Sequence, residues 1–105
     1  MPAPLPEAVA DELTRLVRRW QALPLDQALS FSAPVRALAQ QYAAARHPGI
    51  PLPDLGPAVL PDQLTVVLYD ALAAGDVTPA AAHADLVGLR RTLSARPNAG
   101  SRPVE

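Results

Sequence analysis

The chain has 105 residues, the length of one domain, with formal net charge −1 and no cysteine. That excludes disulfide frameworks, thiolate zinc sites and thiol nucleophiles, and a pI near 6.1 supplies no basic field toward nucleic acid or anionic lipid. Half the residues are apolar, but alanine makes up 21 of them, so any core is built from small side chains. Thirteen prolines and a charged fraction of 18% both depart from average usage, the second falling below the ~25% norm. All nine basic residues are arginine, which together with the alanine and proline content suggests a GC-rich bacterial genome. Met1–Glu7 carries no basic region followed by an apolar run, and no stretch approaches ~18 uncharged apolar residues, so a soluble cytoplasmic protein without a secretory signal is expected.

Residues 1–5 form a Pro-rich lead-in, expected to be disordered. From Pro6 the pattern is helical to about residue 22: Val9, Leu13, Leu16, Val17 and Trp20 make one stripe, and Asp11, Arg15, Arg18 and Arg19 point away. Asp11 and Arg15 are spaced for an i,i+4 ion pair. Pro24 ends this helix, and a single helical turn fits Leu25–Ser30. Ser32 reads as the N-cap of a second long helix, 33–46, with Val35, Leu38, Tyr42 and Ala45 inward and small alanines on its flanks.

Between His47 and Pro61, prolines at 48, 51, 53, 57 and 61 exclude helix and favour extended geometry. Ile50, Leu52, Leu55, Val59 and Leu60 alternate with them, which predicts a stiff segment lying across the helices with these aliphatics underneath. Pro61 opens the most apolar helix, 61–74, whose inner face is Leu64, Val67, Leu68, Ala71 and Leu72, closed by Gly75. The β-branched run Leu64–Tyr69 also suits a buried strand; the acid at Asp62, the alanines at 71–74 and Gly75 favour helix. Thr78-Pro79 is an N-cap/N1 pair for a last helix, 79–95, with Ala82, Leu86, Leu89 and Leu93 inward. Residues 96–105 form a polar tail, expected to be disordered. The expected fold is all-α: a small four-helix bundle spanning 6–95, built from two helical hairpins joined by the Pro-rich extended segment.

The chemistry-bearing residues are sparse. His47 and His83 have no ligand-spaced neighbour, and Asp54, Asp62, Asp70 and Asp76 lack calcium-loop spacing. No Gly-x-Ser-x-Gly elbow or glycine-rich phosphate cradle is present, so no enzyme, cofactor or metal is expected. Residues 62–93 have a helix–turn–helix outline, but the second helix begins Pro79-Ala80-Ala81-Ala82-His83-Ala84-Asp85, with no side chain suited to base contacts. Pro48-Gly49-Ile50-Pro51 has PxxP spacing, but its aliphatic is assigned to the core.

Two functions from different classes remain. On helix 61–74 the face opposite the core stripe carries Val66, Tyr69 and Ala73. Either the Pro-rich segment covers this face, the preferred arrangement, or it binds a partner. The second case makes the protein a non-enzymatic interaction or regulatory module, a homodimer or bound to another protein. The alternative is a nucleic-acid-associated regulator whose Arg15, Arg18, Arg19, Arg90 and Arg91 pool on the first and last helices.

Overall fold

A computed structural model describes residues 5–94. The described chain is all-helical, with five helices: α1 Glu7–Gln21, α2 Leu25–Ser30, α3 Ser32–Arg46, α4 Leu60–Ala74 and α5 Pro79–Ser94. The expected disorder of 1–5 and 96–105 lies outside the described residues except at Leu5, which is half-buried and packs against the core. Among those described, no helix is long and apolar enough to cross a membrane. The Leu64–Tyr69 run is helical, so its inward leucines and alanine outweigh its β-branched content.

Helix ends follow local chemistry in most places. Gly75 closes α4 with φ 78°, a left-handed conformation that a side chain disfavours, and Asp76 N–H bonds back to the Ala71 carbonyl at 2.8 Å. Thr78 Oγ1 accepts from Ala81 N–H at 3.1 Å, the expected N-cap. Ser32 is a correction: α3 begins on it, and its hydroxyl donates back to the Ala28 carbonyl at 2.8 Å, because α2 ends only two residues earlier.

The core takes the predicted stripes from α1 and α5 almost unchanged. In α3 the buried set is Val35, Ala39, Tyr42 and Ala43; the expected Ala45 is exposed and Leu38 only half-buried. Ala39, Ala71 and Ala82 are fully buried, each presenting a single methyl where a neighbouring helix packs.

The pairing of helices differs from consecutive hairpins. The extensive contacts are α1 with α5 and α3 with α4. Val35 shares a small cavity with Pro61 and Leu64, Ala43 lines a groove with Val67, and Arg46 lines another with Ala73. Residue numbers rise together along both helices, so α3 and α4 run in the same direction. On the other pair, Glu12 meets Arg90 and Arg19 meets the Leu93 carbonyl, again rising together.

This polarity dictates the role of residues 47–59. A 15-residue helix is about 22 Å long, and same-sense neighbours cannot be linked by a turn. The chain must return from the end of α3 to the level of its start, and residues 47–59 span up to ~40 Å when extended. The return path is fixed by side chains. Gln40 accepts from Leu52 N–H at 2.7 Å and donates to the Ile50 carbonyl at 3.4 Å. Arg36 donates to the Leu52 carbonyl at 3.4 Å and pairs with Asp54 at 3.0 Å. Gln63 Nε2 donates to the Pro53 carbonyl at 3.0 Å, and the Trp20 indole N–H to the Pro57 carbonyl at 2.9 Å. Prolines 51, 53 and 57 have no N–H to satisfy, so a few donors from α1, α3 and α4 suffice to hold the strap.

The strap does not tuck its aliphatics inward as expected. Ile50 and Leu55 are mainly exposed, while Leu52 and Val59 are half-buried and Leu60 fully buried. A segment held through backbone carbonyls presents only some of its side chains to the helices. Gln40→Ala, which leaves the half-buried Leu52 N–H without its acceptor, lowers unfolding free energy by about 1–3 kcal/mol in urea denaturation.

Candidate functional site

Of the acids and histidines singled out from the sequence, His47 and Asp70 line the same groove, and the others lie apart. His47 is exposed at the end of α3 and His83 half-buried on α5. Asp54 is engaged by Arg36, and Asp85 accepts from the Tyr42 hydroxyl at 2.7 Å. Tyr42 is buried, and burial, followed by the Asp85 carboxylate, pushes its ionisation well above the ordinary tyrosine range. Among the described residues no group of three His, Asp or Glu side chains is placed to hold a metal ion.

The arginines on α1 and α5 do come together, because those helices pair, but the meeting is built around an acid. Glu12 is 2% exposed and takes Arg90 on one oxygen and Arg15 on the other, the latter at 3.4 Å. Arg15 therefore pairs with Glu12, not with Asp11. The hydrogen bond from Arg90 holds the Glu12 carboxyl below its ordinary range; burial opposes this, and the charges of Arg90 and Arg15 reinforce it. Arg19 donates to the Leu93 carbonyl at 3.3 Å. Only Arg18 and Arg91 stand exposed with no such contact. The sequence carried a sign of this, since Glu12 lies three residues after Val9 and four before Leu16, inside the apolar stripe.

The apolar back of α4 is open, correcting the expectation that the Pro-rich segment covers it. Val66 is 59% exposed and Ala73 exposed, while Tyr69 between them is half-buried. Val66 and Ile50, the latter 62% exposed, both line a groove of about 290 Å³ between α3, the strap and α4. Arg46, His47 and Asp70 also line this groove. Arg46 pairs with Asp76 at 3.4 Å, while Asp70 lies exposed without an ion-pair partner among the described residues. Both signs of charge thus flank an apolar centre.

A second apolar region was not anticipated. Leu25, Leu29 and Leu55 are 67%, 56% and 57% exposed. Leu25 and Leu55 line a cleft of about 720 Å³ floored by Trp20, where the end of α1, α2, the strap and the start of α4 meet. Sequence reasoning missed it by assigning Leu55 to the core; it read Leu25–Ser30 as a helical turn, as the structure has it, but drew no surface from that turn. The exposed i,i+4 leucine pair on α2 was the available signal.

Comparison with protein-family models, with curated proteins and with solved structures found no match. The reading of these surfaces rests on their own chemistry.

Because the folded-state pKa of Glu12 is depressed, the stability it contributes is complete above the ordinary value of 4.5 and is lost as pH falls through the folded value. Glu12→Gln is expected to cost, at pH 7, the lower part of about 1.5–3 kcal/mol, since Arg90 remains one-third exposed, and to flatten the acid limb of a stability–pH profile.

Proposed function

We propose that the protein is a small, soluble, cytoplasmic interaction or regulatory module, not an enzyme, which acts through the face centred on Val66 and Ile50. In this reading the four long helices form a small bundle, and the Pro-rich strap supplies one rim of the binding face. The observation that carries the proposal is the meeting of two exposed β-branched aliphatics, from different elements, on one groove. The two aliphatics line one groove together with charges of both signs, an arrangement that suits a protein contact.

The partner this face fits first is a second copy of the chain. A two-fold interface requires a patch complementary to itself, with each residue i opposing j and j opposing i. An apolar centre with Arg46 and Asp70 beside it meets that requirement in this reading, with Arg46, which already pairs with Asp76, set to face Asp70 of the other copy. The arginines of α1 and α5 support the nucleic-acid reading less well. Glu12 takes up two of them and the Leu93 carbonyl a third, leaving Arg18 and Arg91.

Light scattering on the eluting protein tests the proposal. The expected mass is that of two chains, and Val66→Asp, which places an unpaired carboxylate at the centre of the contact, raises the dissociation constant by more than about ten-fold. A single-chain mass at every concentration, unchanged by Val66→Asp, contradicts self-association. A salt-sensitive shift of duplex DNA that persists in Val66→Asp favours the arginine reading.

A further inference from the structure

We infer that the cleft floored by Trp20 is a second docking site, separate from the Val66 face, and that it receives a basic amphipathic helix from a partner protein. The cleft is open, and its exposed aliphatics extend past its rim. Leu25 and Leu55 line it, and Leu29, one helical turn after Leu25, continues the same apolar strip along α2. The strip runs past the cleft onto Leu29, and the described residues offer no sheet edge to which an extended peptide adds. A helix laying anchors at i, i+3 or i+4 and i+7 along the strip matches both facts.

The charge of the rim selects the partner. Among the described residues the only ionisable side chain lining the cleft is Asp62; Asp26, next to Leu25 in the first turn of α2, adds a second carboxylate nearby without lining it. Both are exposed, and neither forms an ion pair with a described residue. No described arginine lines the cleft; Arg19, on the same helix as Trp20, donates instead to the Leu93 carbonyl. Arginine or lysine flanking the partner's apolar anchors places cations opposite Asp62 and Asp26. A second copy of this chain fits worse, since a two-fold contact here brings two acidic clefts together with no described arginine lining either one to oppose the carboxylates.

The test titrates the full-length protein with a synthetic helical peptide carrying leucines at i, i+4 and i+7 flanked by arginines, and with its counterpart having glutamate for each arginine. Trp20, the only tryptophan of the chain, reports through its emission and its indole N–H resonance, and Leu25 and Leu55 through their methyl shifts. The expected result is saturable perturbation of these three residues by the arginine peptide, with the glutamate peptide about ten-fold weaker. In the Asp26→Asn/Asp62→Asn variant that preference disappears while the spectrum stays that of the folded protein. Leu55→Ser, at an exposed position, weakens both peptides.

Equal binding of the two peptides, absence of binding, or perturbation centred on Val66 and Ile50 overturns the inference. So does loss of the Leu25 and Leu55 signals on concentrating the protein alone, which assigns the cleft to a second copy. These readouts are independent of self-association through the Val66 face, so either reading can fail without the other.

Discussion

Two neighbouring helices that run in the same direction force the chain between them to travel back the full length of one helix. In this protein that constraint falls on α3 and α4, and the surface features follow from it. The return segment cannot be a turn, and a second helix there would need its own buried face. Proline resolves the problem by lowering the number of backbone donors and by biasing each preceding residue toward extended geometry. Gln40, Arg36, Gln63 and Trp20 then hold the strap through its carbonyls and through the Leu52 N–H. Because the grip is on the backbone, the alternating side chains are left to face both ways. Ile50 and Leu55 become surface, and each borders a different cavity.

The second structural commitment is the α1–α5 contact, and its polar centre is Glu12. A buried carboxylate shared by two arginines is weak ground for net stability, since desolvation offsets much of the attraction. Its effect is selective: α5 settles where Arg90 reaches Glu12 and Arg19 reaches the end of α5, and a slipped register leaves a buried charge unpaired. The same arrangement engages three of the five arginines, so that fewer guanidiniums on this side are free to reach a phosphate, although Glu12 cancels only one of their charges.

Helices were legible because their signals are local. Stripes at helical spacing, Thr78-Pro79 and Gly75 each act within a few residues, and α5 buries the four side chains its spacing named. Ser32 misled because two helices compete for the same short stretch, and its hydroxyl satisfied the earlier one. Pairing was not legible: nothing local to α1 names α5 as its neighbour, and short connections favour hairpins by default. The site was half legible. Val66 and Ala73 stood out as apolar positions opposite a core stripe, but whether the strap covers them depends on Gln40 and Arg36, whose role appears only in three dimensions. Leu55, on the strap, was hidden for the same reason, whereas the Leu25 and Leu29 pair on α2 carried a local signal.

The central claim is that the strap is a clamped part of the fold. Native-state hydrogen exchange at the Leu52 amide and the Trp20 indole N–H measures this directly, since these two protons are donated to Gln40 and to the Pro57 carbonyl. Clamping predicts that both exchange with an opening free energy close to that of core amides such as Leu68 and Leu86. Exchange at the rates of an unprotected loop, with the helices still protected, contradicts it.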